Sequence, residues 1–324
     1  MRNTSDIVVM TDHSSTEGSS AQLARAVELV TGAAPLMVDA RHFYDGGTGV
    51  LRLGVRPTLV VPSENVEVRP CALVIYEIPP GDRHRFTRFQ AAVARSGIPC
   101  LGADAQAWRN ATDKRCTVDR FRTEGIPQEE SLILNRPTWH TALTAFDRLG
   151  RDVWTRPAIG FGGRDVCHVT TEAQLHAALE LYQKSGSSWL LTRDAGNFDE
   201  HGRRHQYRVV VLGERVLRVC EHVQHNPEAP CNEAQGAVST VLAPDALPQH
   251  LLELAIRATA SVGLSFGGVD LVPERGGAVF EVNVHPVLDV PQGLETVSVP
   301  FVLTHLTDAA AHGPTRYESL RPHR

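Results

Sequence analysis

The chain has 324 residues, 42% hydrophobic and 21% charged, enough for two or three small domains with real cores and too apolar for global disorder. A formal net charge of −5 argues against a dedicated nucleic-acid binder. No apolar run approaches the roughly 20 residues that span a bilayer, and MRNTSDIVVMTDHSS has too short an apolar core for a signal peptide, so the cytoplasm is expected.

The chain opens with a buried strand, Ile7 to Met10, a Ser/Gly-rich loop, Thr11 to Ser20, and a helix, Ala21 to Val30. Strand, loop, helix is the start of an α/β unit. The loop has neither GxxxxGK[ST] nor GxGxxG. It is either a surface connection or a substrate loop at a helix N-terminus. Pro35–Val38, Thr58–Val61 and Leu73–Ile78 read as strands, Asp82–Arg95 as a helix, and Ile98–Leu101 as a short strand. Glu77 falls at the carboxyl edge of this α/β layer.

Trp108 to Gly125 reads as a helix capped by Asn110 or Thr112, with Val118 and Phe121 facing inward and Lys114 in its first turn. Ser131–Leu134, a helix from Trp139 to Leu149 and a strand Asp152–Arg156 follow. Arg156 to Val166, RPAIGFGGRDV, carries Gly160, Gly162 and Gly163. Such a loop is either a long hairpin turn or a backbone cradle for an anion. Thr171–Gln183 is helical behind Thr170 or Thr171, and Trp189–Thr192 is a strand. Asp194–Arg204 is a loop, Gln206–Leu212 and Arg215–Val219 form a hairpin around Gly213-Glu214, and His222–Gly236 is a second polar loop. Leu247–Val262 is an amphipathic helix. Val297–Ala311 is the last helix, ahead of a tail, Pro314–Arg324, that should fray. The six cysteines show no CxxC pair and are expected to be reduced and mostly core-filling.

The most informative stretch is Phe266 to Asp289. Val269–Val272 and an alternating run, with Ala278, Phe280, Val282 and Val284 apolar, flank PERGG, which predicts a β-hairpin. With Pro273–Gly276 as the turn and Val272 opposite Gly277, Asp270 sits opposite Val279 on the face that carries Glu281 and Asn283. That polar face is either solvated or a site of hard oxygen ligands suited to Mg²⁺.

Asn110–Lys114, Arg156–Val166, Arg208, Asn232–Gly236 and GGVDLV…VFEVNVHP together resemble the ATP-grasp superfamily, most closely its ribosomal-protein S6 glutamate-ligase branch. The likeness runs from about residue 70 to 300, in the family's order. It implies a three-part α/β and α+β fold. Residues 1–105 would be an N-terminal α/β domain, 106–193 a linker helix and central lid, 194–312 a C-terminal metal-binding domain, and 313–324 a tail. The chemistry it implies is activation of a carboxylate by ATP as an acyl-phosphate, attack by an amine, and release of ADP and phosphate.

The resemblance also implies roles for single residues. Lys114 and Arg156 would meet the nucleotide phosphates, and Gly160, Gly162 and Gly163 would form the flexible cover over them. Leu191, Thr192 and Arg193 would offer backbone groups to adenine. Arg208 would stabilise the transferring phosphate, with Asn232 and Asn283 beside the reacting groups. Asp270, Glu281 and Asn283 would hold two Mg²⁺ ions, with Mn²⁺ as a substitute. Expected partners are small-molecule carboxylate and amine substrates, with no nucleic acid and no membrane, and a homodimer is a family-level expectation. Two alternatives stay open: a peptide-modifying ligase forming side-chain ester or amide links, and a degenerate nucleotide sensor.

The departures from the family pattern lie around the phosphate and the acceptor. Arg156-Pro157 replaces Lys-Pro, Gln206-Tyr207-Arg208 replaces Asp-x-Arg, and His222 stands where relatives have arginine. In Asn283-Val284-His285-Pro286-Val287, His285 is unusual and is read as a substrate or pH-sensitive contact.

Overall fold

The computed structural model describes residues 4–100, 102 and 104–312. The chain divides into two compact units, one running up to Trp108 and resuming at His285, the other running from Arg109 to Val284.

The first unit is built on β1 (Thr4–Thr11), flanked in parallel by β2 (Ala34–Asp39) on one side. Val8, Val9 and Met10 are all fully buried, because a parallel strand covered on both faces needs no polar alternation. The helix α1 (Ser19–Thr31) connects the two strands. Next come β3 (Val50–Arg52), β4 (Thr58–Val61) and β5 (Val66–Val68), a small antiparallel sheet of their own. The expected strand at Thr58–Val61 therefore exists but belongs to a different sheet. β6 (Ala72–Ile75) closes the parallel sheet in the order β2-β1-β6. The Asp82–Arg95 helix begins as a 3-10 turn, Arg83–Phe86, and continues as α2 (Thr87–Ser96). No strand follows at Ile98–Cys100, while Leu101 and the tail Pro314–Arg324 lie outside the described residues.

The loop before α1 does not present an open helix terminus. The Ser20 N–H donates to Glu77 Oε2 at 2.8 Å, so a buried carboxylate of the same unit already occupies the positive end of the helix dipole. The Leu288 N–H donates to Ser19 Oγ at 3.1 Å.

The second unit begins with a helix break. α3 (Ala105–Thr112) ends and α4 (Lys114–Glu124) starts across Asp113, whose backbone is extended and whose carboxylate accepts from the Arg115 N–H at 3.0 Å. Asp113 is the cap, which corrects the expectation of Asn110 or Thr112. Asn110 instead donates to Val262 O at 3.2 Å. A four-stranded antiparallel sheet follows, made of β7 (Ser131–Leu134), β8 (Val153–Pro157), β9 (Cys167–Val169) and β10 (Trp189–Arg193) in the order β7-β10-β8-β9. The helices α5 (Trp139–Arg148) and α6 (Glu172–Ser185) supply Phe146, Leu175, Leu179 and Tyr182 to its core. Thr171 and Gln174 form a capping box that fixes where α6 starts.

The larger sheet has the order β13-β12-β11-β14-β15, all antiparallel. Its strands are β11 (Arg204–Leu212), β12 (Arg215–Gln224), β13 (Val238–Leu242), β14 (Phe266–Val272) and β15 (Ala278–Asn283). The helix α7 (Gln249–Ser261) buries Leu251, Leu254, Ala255 and Ala258. β12 runs on to Gln224, so His222 stands in a strand and not in the expected loop. β13 is an edge strand that the sequence did not announce.

The β14–β15 hairpin has a different register from the expected one. Val272 pairs with Ala278 and Leu271 with Val279, and a bulge then sets Asp270 directly opposite Glu281. The extra residue also splits the expected apolar row. Val279 and Val282 go to one face, while Ala278 joins Val272, Ala195 and Phe280 in a separate small cluster on the other. The connection holds Arg275 at φ 55°, with Gly276 at 88° and Gly277 at 105°.

The chain then returns to the first unit. His285 packs on Tyr76 and Trp108 at ring distances of 4.6 and 4.9 Å. The last helix, α8 (Val299–His312), carries His305, whose Nε2 meets Leu73 O at 2.7 Å. No helix among the described residues is long and apolar enough to cross a membrane.

Candidate functional site

Directly opposed residues of an antiparallel pair share a face. Arg208 pairs with Cys220 on one side and Asp270 on the other, Asp270 with Glu281, Gly268 with Asn283, and Gln206 with His222. One face of the second unit's larger sheet therefore collects Gln206, Arg208, Cys220, His222, Asp270, Glu281 and Asn283. Its other face carries the fully buried row Val209, Val269 and Val282.

The acids and cations on this face are interlocked. Arg208 grips Asp270 as a fork, Nε to Oδ1 and a terminal nitrogen to Oδ2, both at 2.7 Å. Asp270 is 3% exposed, so the pairing is what permits a charge there. Lys114, at the head of α4, reaches Glu281 Oε2 at 3.2 Å, and its own backbone N–H donates to Ala158 O at 2.9 Å. Lys114 is buried, contrary to the usual fate of a surface lysine. Burial alone would raise the Glu281 pKa. Lys114 first, then Arg156 and Arg208, outweigh that and hold the carboxyl below its ordinary value. Arg156, at the end of β8, donates to Phe280 O and Thr192 Oγ1, each at 3.3 Å, and its Nε is buried without a partner among the described residues. Burial pushes its pKa down and Glu281 pulls it back up.

The same residues fit hard divalent cations. Two carboxylates stand side by side, and Asn283 turns its amide N–H group to Gly268 O at 3.2 Å and Asp270 Oδ2 at 3.3 Å. That leaves the amide oxygen as the third acceptor, an all-oxygen set with adjacent cations for phosphate.

The remaining sequence-predicted residues have partners of their own. The Gly160–Gly163 loop lies against the segment 230–235. A side chain at Gly163 would meet Gln235 and Pro230 at 2.9 and 3.1 Å, and Gln235 Nε2 donates to Gly162 O at 3.1 Å. Asn232 caps the turn Glu233–Gln235, its Oδ1 accepting from the Ala234 N–H at 2.9 Å. Leu191 is in the core of the smaller sheet, on a strand paired on both sides. Arg193 pairs with Glu130 at 2.9 Å. His285 Nδ1 accepts from the Ile78 N–H at 3.3 Å, and burial, with Arg83 next, lowers its pKa from the ordinary value.

Three residues on the site face escaped sequence reasoning: Arg218, Cys220 and Ser239. Arg218 and Cys220 follow from His222 by period two, once β12 is known to run that far. A second acid–histidine group, Asp152, His168 and Asp194, has the spacing of a metal site but is already satisfied. Asp152 and Glu228 take the two nitrogens of His168 at 2.7 and 2.9 Å, and Asp194 Oδ2 takes Trp154 and Arg204, both at 2.7 Å.

Residues 179–297 match the family model of the RimK-like ATP-grasp domain. A probable alpha-L-glutamate ligase of Pasteurella multocida is 26% identical over 274 residues, 82% of this chain and 84% of the relative. Among solved structures, D-alanyl-alanine synthetase A from Vibrio cholerae superposes with a TM-score of 0.70 at 19% identity, covering 96% of this chain and 99% of the other. The ATP-grasp ligase PsnB, bound to a phosphomimetic variant of its minimal precursor, Mg and ADP, superposes at 0.67 with 16% identity over 94% and 99%. Residues 179–297 thus match a RimK-like ATP-grasp domain, in a chain whose relatives are named ligases and whose fold is that of ATP-grasp ligase structures.

Proposed function

We propose that the protein joins a small, amino-acid-like carboxylate to an amine, using ATP and Mg²⁺ and releasing ADP and phosphate. The observation that carries this reading is the single sheet face on which Asp270, Glu281 and Asn283 meet Arg208, Lys114 and Arg156. Phosphoryl transfer asks little covalent work of a protein and much positioning and charge neutralisation. Asp270, Glu281 and Asn283 would hold the metal, which would neutralise phosphate charge when bound. Lys114 and Arg156 would neutralise nucleotide phosphates. Arg208, held by Asp270, would face the transferring group.

In the first step a carboxylate oxygen forms a bond to the γ-phosphorus and the bond to ADP breaks. In the second, an amine forms a bond to the acyl carbon and inorganic phosphate leaves. Domain roles follow the same reading: 1–105 as the N-terminal domain, 106–193 as linker helix and lid, and 194–312 as the metal-binding domain. Purified protein with ATP, Mg²⁺ and a matrix of acids and amines should release ADP only when both substrates are present. AMP and pyrophosphate as products would refute it.

One observation favours a second reading, a peptide acceptor. The edge strand β13 exposes Val238 and Val241 beside Ser239, and a peptide could add there as a further strand. Loss of one water from a co-expressed precursor peptide would establish it.

A further inference from the structure

His222 stands in β12 between Gln206 of β11 and Ser239 of β13. The larger sheet therefore sets out a line across one face, Glu281, Asp270, Arg208 and Cys220, with His222 two residues further along β12 on that same face. His222 is 5% exposed. Its Nδ1 is hydrogen-bonded to Ser239 Oγ, and its Nε2 is buried with no partner among the described residues. A buried histidine in a purely structural role has both nitrogens matched, because an unmatched one costs desolvation energy for no return. Here the unmatched nitrogen is on the site face, beyond the arginine assigned to the transferring phosphate.

We propose that Nε2 of His222 is the proton acceptor for the incoming amine, a reading that rests on the ligase function above. In the tautomer in which Nδ1–H donates to Ser239 Oγ, the lone pair is on Nε2. The charged and titratable groups around the ring are Arg208 on β11, Arg218 and Cys220 on its own strand, Asp270 on β14, and Glu233 in the 232–236 turn. Burial, with Arg208 next, pushes the imidazole pKa down, so it is neutral and able to accept at neutral pH. An amine in water arrives as ammonium and has no lone pair to give. One proton passes to Nε2, and the freed lone pair forms the C–N bond to the acyl carbon. The C–O bond to phosphate breaks, its electron pair leaves on the phosphate, and the second nitrogen proton leaves with it. The imidazolium returns its proton to water.

Hydroxylamine separates the two halves of this chemistry, because it is already a free base near neutral pH and traps an acyl-phosphate without help. Full-length wild type and His222→Gln, with ATP, Mg²⁺ and a panel of amino acids as the acid, are each given either hydroxylamine or an amino-acid acceptor. The expected result is selective: His222→Gln loses about a hundredfold or more in amide formation but far less in hydroxamate formation. Raising the pH should restore amide formation by about tenfold per unit, as more free amine becomes available. Equal losses in both assays, or none in either, overturn the proposal. Wild type that forms no hydroxamate with any acid overturns the ligase reading and the base with it. A second readout needs no substrate. Long-range proton–nitrogen NMR of histidine-labelled protein, with His222 assigned by its absence in His222→Gln, should show the Nδ1–H tautomer. An Nε2–H tautomer at neutral pH refutes the base even where hydroxamate forms.

Discussion

Arg208 and Asp270 are neighbours in space because β11 and β14 pair at that register, and each makes the other tolerable in a buried place. A planar fork meets both carboxylate oxygens at once, which a single ammonium cannot do. Arg208→Lys should therefore keep the charge and lose the geometry: turnover falls by about 10²–10³-fold while the protein still folds. Arg208→Ala goes further, leaving Asp270 as an unmatched buried charge at a cost of about 3 kcal/mol or more. Urea unfolding alongside ADP-release assays would separate the two, and a Lys variant with full activity would remove Arg208 from the phosphate. Glu281 is the complementary test. Lys114, Arg156 and Arg208 keep it ionised, and Gln has the same shape without the charge. Glu281→Gln should abolish turnover with an unchanged circular dichroism spectrum, and an active variant would remove Glu281 from metal binding.

The hairpins of the larger sheet are held from their other face as well. His205 of β11 bridges Glu221 of β12 at 3.2 Å and Glu274 of the β14–β15 connection at 3.0 Å. Glu274 first, against the cost of burial, raises the His205 pKa above its ordinary 6.5. A raised folded-state pKa gives stability that is complete below pH 6.5 and fades as pH rises through the folded value. The melting temperature should accordingly fall as pH rises above 6.5, and His205→Gln should flatten that slope. An unchanged slope in the variant would show that the bridge contributes nothing. This connection also marks how far a linear reading of the chain reaches. Asp270, Glu281 and Asn283 were legible because polar residues interrupt apolar runs. The bulge was not, because Val279 and Phe280 are both apolar and one extra residue leaves the later alternation intact. Three acceptable caps, Asn110, Thr112 and Asp113, lie within four positions, and only the extended backbone at Asp113 selects one. β13 escaped because VSTVL, an exposed edge, has no buried face to set a period. Arg208 was legible as a cation, but its pairing with Asp270 depends on which strands are adjacent, and no local pattern encodes that.

The chain carries a net charge of −5, so the gathering of Lys114, Arg156 and Arg208 around Glu281 is a local arrangement and not a general basicity. All the residues of that arrangement belong to the unit from Arg109 to Val284. A ligand that binds only the folded form of that unit stabilises it by mass action, by about 2.7 kcal/mol at a hundredfold excess over Kd. The other unit gains nothing directly. Scanning calorimetry with ADP and Mg²⁺ should therefore raise the transition of one unit, and a chain of two units that unfold separately would show the second transition unmoved. Asp270 and Glu281 are paired with cations that the phosphates would also need, so nucleotide without metal leaves both sets of charges in competition. ADP with EDTA should give a much smaller shift than ADP with Mg²⁺, and Glu281→Gln should lose most of the metal-dependent part. Equal shifts with and without Mg²⁺ would place the nucleotide away from Asp270, Glu281 and Asn283.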